Sequence, residues 1–371
     1  MNVIKWLKKE IVLTIALVLA IVSAFFVTPD KAYLSYIDFR TLAILFCLMA
    51  VMAGLQKSGL FQVVAQKLLG KVRHIRLTAF ILVMLCFFSS MLITNDVALI
   101  TFVPFSLIVL GLIGAKKLVV PVVVMQTVAA NLGSMLTPIG NPQNLYLYGK
   151  SQMALGDFVC LLLPYTLAAF LLLSVWCVVF PYKGEKKMHF VPQEQARLCG
   201  KGNIAVYLVL FVLSLLTVAH VVDYRLAFLI TAAVVLVMDR KVLLQVDFAL
   251  LLTFVGFFVF IGNMGRIPAF NAFLARVITG NEVLTGVLCS QVMSNVPAAL
   301  LLSGFTARYD LLIIGTNLGG LGTIIASMAS LISFKFIGKD YKEQRGKYLL
   351  LFTAVNIVFL AVLYGLHMIV P

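Results

Sequence analysis

Four polar interruptions of otherwise apolar sequence hold the residues with which this chain could do chemistry. The first is Thr94-Asn95-Asp96, between apolar runs at 77–93 and 97–114. An aspartate at the centre of a membrane helix costs about 2.5–3.5 kcal/mol on insertion scales, so a carboxylate at that depth needs a reason. If the two runs form a hairpin that enters and leaves on one side, its tip sets free backbone amides and carbonyls beside Thr94, Asn95 and Asp96. Run length also allows two full spans joined by an exposed turn. At a buried tip Asp96 could change charge state during a transport cycle and so couple it to an ion.

The second interruption runs from Asn131 to Asn144, where Gly133, Pro138, Gly140 and Pro142 break an apolar stretch. Such a break frees backbone groups that cannot be left bare in lipid, so it reads as the lining of a cavity rather than an ordinary loop. Half-helix N-termini there can face an anion, while unwound carbonyls, with Gly140 in the turn, and the Thr137, Asn141 and Asn144 side chains can coordinate a cation. The third is Ser294-Asn295-Val296-Pro297, the predicted tip of a second hairpin over 283–303. The fourth is Asn317 to Thr323, in which Asn317 and Thr323 are candidate ligands. Gly319, Gly320 and Gly322 suit close helix packing equally well.

Other chemistry is not indicated. No two His, Cys or acidic residues recur at ligand spacing, so no metal site is expected, and without a P-loop the chain has no ATP drive of its own. No cofactor and no catalytic site are expected. The six cysteines lie mostly in apolar runs without CxxC spacing and read as packed hydrophobes. Arg266, Arg276 and Arg308 could attract anions, but interfacial anchoring explains them as well. His220 and His367 stand near helix ends and read as interfacial.

The elements that position these residues must be membrane helices. The chain has 371 residues, 62% of them hydrophobic and 12% charged, and a mean hydropathy of +1.08. That much apolar surface needs lipid, and roughly 20 helical residues cross a bilayer core. The net charge of +15 does not mark a nucleic-acid binder, because Lys and Arg cluster at the ends of apolar runs. Residues 57–76 read as an amphipathic interfacial helix. With both hairpins re-entrant, 22 of the 29 Lys and Arg residues fall on one side and 7 on the other. The basic side, including the N-terminus, is then cytoplasmic. Met1 to Val27 resembles a signal peptide, but Thr28-Pro29-Asp30 replaces the small-residue cleavage site, so a retained first helix is expected.

The second half echoes the first in order. Asp38-Phe39 matches Asp247-Phe248, Asn95-Asp96-Val97-Ala98 matches Asn295-Val296-Pro297-Ala298, and Asn131-Leu132-Gly133 matches Asn317-Leu318-Gly319, at offsets of 209, 200 and 186 residues. The expected fold is an all-α polytopic membrane protein of two inverted repeats, each with a re-entrant hairpin and a broken helix. Residues 1–34 would form an N-terminal transmembrane helix, 35–181 the first repeat and 182–203 a cytoplasmic linker. Residues 204–245 would lead into the second repeat at 246–371.

In Thr94-Asn95-Asp96-Val97-Ala98, Thr137-Pro138-Ile139-Gly140-Asn141-Pro142-Gln143-Asn144-Leu145 and Ser294-Asn295-Val296-Pro297 the chain resembles the ion transporter superfamily. The likeness is to its arsenite permease, sodium/proton antiporter and citrate transporter branch, from about residue 35 onward. The resemblance implies two opposed hairpins, two broken helices, a homodimer interface and elevator-like alternating access. Sodium-coupled dicarboxylate carriers of the superfamily carry Ser-Asn-Thr at both tips, unlike this chain. Antiporter and arsenite relatives often carry Asp where this chain has Asn141, and antiporters another Asp where it has Ser294, which weakens a cation-antiport assignment. The expected function is secondary transport of a small inorganic or organic anion across the inner membrane, coupled to H+ or Na+. Na+/H+ antiport is the alternative, and a membrane subunit of an ATP-driven oxyanion pump the third reading.

Overall fold

The structure is a computed structural model that describes residues 10–69, 74–179 and 201–369. Every regular element among them is helical. The linker expected at 182–203 lies outside the described residues except for its last three, which open a helix, and so does most of the N-terminal basic segment.

The first half runs α1 (Ile11–Phe26), α2 (Tyr33–Tyr36), α3 (Phe39–Lys57), α4 (Leu60–Leu69), α5 (Ile75–Ser89), α6 (Asn95–Leu112), α7 (Val119–Gly133), α8 (Pro142–Ser151) and α9 (Leu155–Val179). The second runs α10 (Lys201–Val218), α11 (Tyr224–Leu243), α12 (Phe248–Gly265), α13 (Pro268–Ile278), α14 (Glu282–Met293), α15 (Asn295–Leu302), α16 (Tyr309–Leu318), α17 (Met328–Asp340) and α18 (Arg345–His367). Among the described residues six helical stretches are long and apolar enough to cross a membrane, or seven if the bent pair α13–α14 counts as one span. Several of the apolar runs are therefore not full spans. The clearest case is the second hairpin, whose arms have 12 and 8 residues. At 1.5 Å per residue they reach about 18 and 12 Å, each by itself short of a core about 30 Å thick.

Local sequence sets the helix starts. Asp38 and Asp247 cap α3 and α12 by accepting from Thr41 N at 3.0 Å and Leu250 N at 2.9 Å. Asn141 caps α8 from Asn144 N at 2.9 Å, with Pro142 at its first position. Each cap satisfies an amide that would otherwise be orphaned. The elements sort into a frame and a core. In the frame α1 packs on α12, and α10 and α11 pack on α3. In the core α5 and α6 pack on α7, α14 and α15 pack on α16, and α17 crosses to α6. The two parts touch where α3 meets α8 and where α12 meets α15. Every residue of α7 is buried, which is why it carries no polar face.

The internal echoes reappear as contacts. Lys57, at the end of α3, pairs with Asp239, and Arg266, just past α12, pairs with Asp30. Arg266 lies 209 residues after Lys57, and Asp239 lies 209 after Asp30. A Cβ at Gly133 would come within 2.6 Å of Ser90 Oγ, and one at Gly319 within 2.5 Å of Ser290 Oγ, so each glycine permits a close crossing of hairpin and broken helix. Contacts that exchange partners in this way are what a pseudo-two-fold relation between the halves produces.

Candidate functional site

Both broken helices part where the sequence places its prolines and glycines. After α7 a short 3-10 turn at Ser134–Leu136 leads through Thr137-Pro138-Ile139-Gly140 into α8. After α16 the chain loops through residues 319–327 before α17. A hairpin tip docks on each break. Asn95 N donates to Gly140 O at 3.0 Å, and Asn295 N donates to Ala326 O at 2.9 Å. The acceptors are again 186 residues apart.

The side chains between the breaks bond crosswise. Asn131, at the end of α7, accepts from Ser327 Oγ at 3.0 Å and donates to Ser330 Oγ at 3.3 Å. Asn317, at the end of α16, accepts from Asn141 Nδ2 at 3.2 Å and donates to Asn144 Oδ1 at 2.6 Å. Adding 186 to 131, 141 and 144 gives 317, 327 and 330, so one set of bonds is the other with the halves exchanged. All six side chains are buried. Buried amides left unpaired would cost about 1–3 kcal/mol each, so a network this complete fixes how the two halves meet.

The expected residues fall into four groups. Asn95 joins the network by donating Nδ2 to Asn131 Oδ1 at 3.1 Å, alongside Asn141, Asn144 and Asn317. Thr94, Thr137, Gly140, Ser294 and Asn295 shape its surroundings. Thr94 caps α6, Thr137 Oγ1 donates to Met91 O at 2.6 Å, and a Cβ at Gly140 would stand 2.1 Å from Ser134 O. Thr323 stands apart: it is exposed, and its amide donates to Gln291 Oε1 at 2.8 Å. Of the fourth segment's glycines, Gly319 serves helix packing, while a Cβ at Gly320 would touch Asn295 Nδ2 at 3.0 Å.

Asp96 belongs to a different place. It lines a cavity of about 150 Å³ between α3, α6, α8 and the start of α12, and its buried Oδ1 has no hydrogen-bond partner among the described residues. Ser327 and Ser330 were not singled out by sequence, being serines in apolar surroundings. The 186-residue offset applied to Asn141 and Asn144 would have found them. Gln291 was missed too, although it ties the second break by donating to Gly319 O at 3.0 Å and Leu321 O at 2.8 Å. Among the described residues no group of three or more His, Cys, Asp or Glu could hold a metal ion.

The arrangement offers neutral donors and acceptors at the centre, with the N-termini of α6, α8 and α17 joined through it and that of α15 docked beside it on Ala326 O. Proteins of known relationship frame what it serves. The chain is 33% identical over 324 residues to the inner membrane protein YbiR of Escherichia coli strain K12, covering 84% of each. It is 30% identical over 328 residues to the uncharacterized transporter MJ0456 of Methanocaldococcus jannaschii, covering 88% of each. A shorter match, 32% over 143 residues, joins 38% of this chain to 29% of the silicon efflux transporter LSI3 of Oryza sativa subsp. japonica. A family model described as citrate transporter, CitMHS, matches residues 2–308. By that match, over most of its length, the chain belongs to the citrate transporter family of multi-span membrane transporters.

Proposed function

We propose that the chain is a secondary carrier that moves a small inorganic or organic anion across the inner membrane, coupled to H+ or Na+ through Asp96. The observation that carries this reading is the crosswise network of Asn131, Asn141, Asn144, Asn317, Ser327 and Ser330. Three helix N-termini, those of α6, α8 and α17, are hydrogen-bonded into it, and their partial positive charge favours an anion without a buried Lys or Arg. Amide and hydroxyl donors can trade bonds with one another for bonds to an anion. In this reading a homodimer works by elevator-like movement of the core against the frame, as the superfamily resemblance implies.

The test is flux in proteoliposomes without ATP, with a panel of labelled anions headed by citrate, the substrate in the family's description. Gradient-driven anion uptake supports the reading. Cation exchange without anion movement would favour Na+/H+ antiport, for which the unpartnered Asp96 Oδ1 speaks. No flux without ATP would favour a subunit of an ATP-driven pump. Orientation is tested separately. In a cysteine-free background Lys342→Cys, at an exposed basic position, should resist an impermeant thiol reagent in intact cells and react in inverted vesicles.

A further inference from the structure

We infer that the cavity between Asp96 and Asp247 is a binding site for an alkali-metal cation, with Asp247 as its second carboxylate ligand. The inference rests on the reading of the chain as a cation-coupled carrier and gives the coupling ion a place. The cavity, of about 150 Å³, takes polar lining from Gln56, Thr94, Asp96, Asn141, Gln245 and Asp247. Each offers an oxygen, and no Lys, Arg or His lines it. Hard cations take such oxygen ligands, and the volume holds an ion with a few of its waters.

One detail points to a missing positive charge. Asp96 Oδ1 is buried with no donor, a costly state for a carboxylate oxygen that a bound cation would relieve. Asp247, at the exposed rim of the cavity, spends Oδ1 on the cap of α12, at 2.9 Å from Leu250 N, and can turn its other oxygen to an ion there. The two carboxylates come from different parts of the molecule. Asp96 starts α6 in the core, and Asp247 starts α12 in the frame. A cation held by both ties core to frame, and its departure leaves like charges facing each other across the boundary along which an elevator movement would run.

Asp38 supplies an internal control. It caps α3 as Asp247 caps α12, but it lines two other cavities, one with Lys150 and one with Arg40 and His220. The experiment uses purified full-length protein in detergent, without substrate, at alkaline pH. Melting temperature is followed against NaCl, with choline chloride holding ionic strength constant. In wild type Na+ should raise Tm saturably, because a ligand that binds only the folded state stabilises it. Asp247→Asn and Asp96→Asn should each move the Na+ midpoint up by about tenfold or more, the loss of one charged ligand. Asp38→Asn should match wild type. Asn and Ser both keep the α12 cap, so Asp247→Ser guards against a folding defect. The same Na+ midpoint in wild type and both Asp247 variants, or no Na+-specific rise in wild type, would overturn the site. Anion flux measured alongside separates the two readings. Intact flux with no Na+ effect sinks the cation site alone, and absent flux with intact Na+ stabilisation sinks the carrier reading alone.

Discussion

At the first hairpin tip the residue after the asparagine is Asp96, whose Oδ1 is buried without a donor beside a cavity. At the second it is Val296, buried among apolar neighbours. The residue before the asparagine differs as well. Thr94 has an ordinary extended backbone, with φ −65° and ψ 150°, and caps its helix. Ser294 sits at φ 75° and ψ 154°, a conformation essentially reserved for glycine, and makes no cap. Yet both asparagine amides dock on the break of their own half in the same way. The two halves thus share a frame and a docking scheme but have divided the remaining work. The first tip holds the charge, and the second holds strain.

The sharpest way to break that comparison is to remove the asparagines in turn. Asn95→Ala deletes the donor to Asn131 Oδ1, inside the network. The side chain of Asn295 has one long contact with its neighbour, Ser294 Oγ at 3.4 Å. Both substitutions should cut anion flux with expression near normal. Asn95→Ala should do more, by about 10- to 100-fold, which is a buried bond of about 1–3 kcal/mol expressed as a rate. Equal flux in wild type and both variants would remove the tips from the site.

Charge comes next. Asp96→Asn keeps shape and hydrogen bonding but cannot ionise, so it should retain substrate binding while losing accumulation driven by an imposed proton or sodium gradient. Asp96→Glu should keep part of it. Uptake measured against each gradient decides, and an unaltered gradient response in Asp96→Asn would return the residue to a structural role. Stability gives a smaller and opposite contrast. Ser294→Gly should leave the melting temperature unchanged or raise it, because the position already has a glycine conformation. Thr94→Gly should lower it, by a few tenths of a kcal/mol for the lost cap.

Much of this was legible in the sequence because prolines, glycines and asparagines are conspicuous in an apolar chain. Asn95, Asn141, Asn144 and Asn317 stood out by type, and the breaks at Thr137–Pro142 and after Asn317 by their helix-breaking residues. Ser327 and Ser330 were invisible, since a serine in an apolar helix commonly bonds its own backbone, as Ser290 does with Gly286 O at 2.7 Å. Thr323 was conspicuous for the same reason as Asn317, but its partner Gln291 draws it to an exposed edge. The cavity beside Asp96 was also out of reach, because Asp247 reads from sequence only as the repeat partner of Asp38. What places it there is the packing of α3, which touches α8 and α12 alike.

The smallest effect tests the shared frame rather than the divergent tips. Arg266 Nη1 donates to Asp30 Oδ2 at 2.8 Å, and Lys57 pairs with Asp239 in the matching position of the other half. The hydrogen bond from Arg266 holds the Asp30 carboxyl below its ordinary value of 3.8, with the amides of Ala32 and Tyr33 helping. A carboxylate whose pKa is lowered by folding stabilises the native state at pH above its unfolded value, and that contribution is lost as pH falls through the folded value. Asp30→Asn should therefore lower the melting temperature slightly at neutral pH, since exposed pairs contribute little and salt screens them. The difference from wild type should shrink as pH falls below 3.8, where the wild-type carboxyl itself becomes neutral. If the frame is two-fold in energy as well as in geometry, Asp239→Asn should give a loss of similar size. A large loss from one variant and none from the other, measured by thermal melts across pH, would show that the frame has diverged as the tips have.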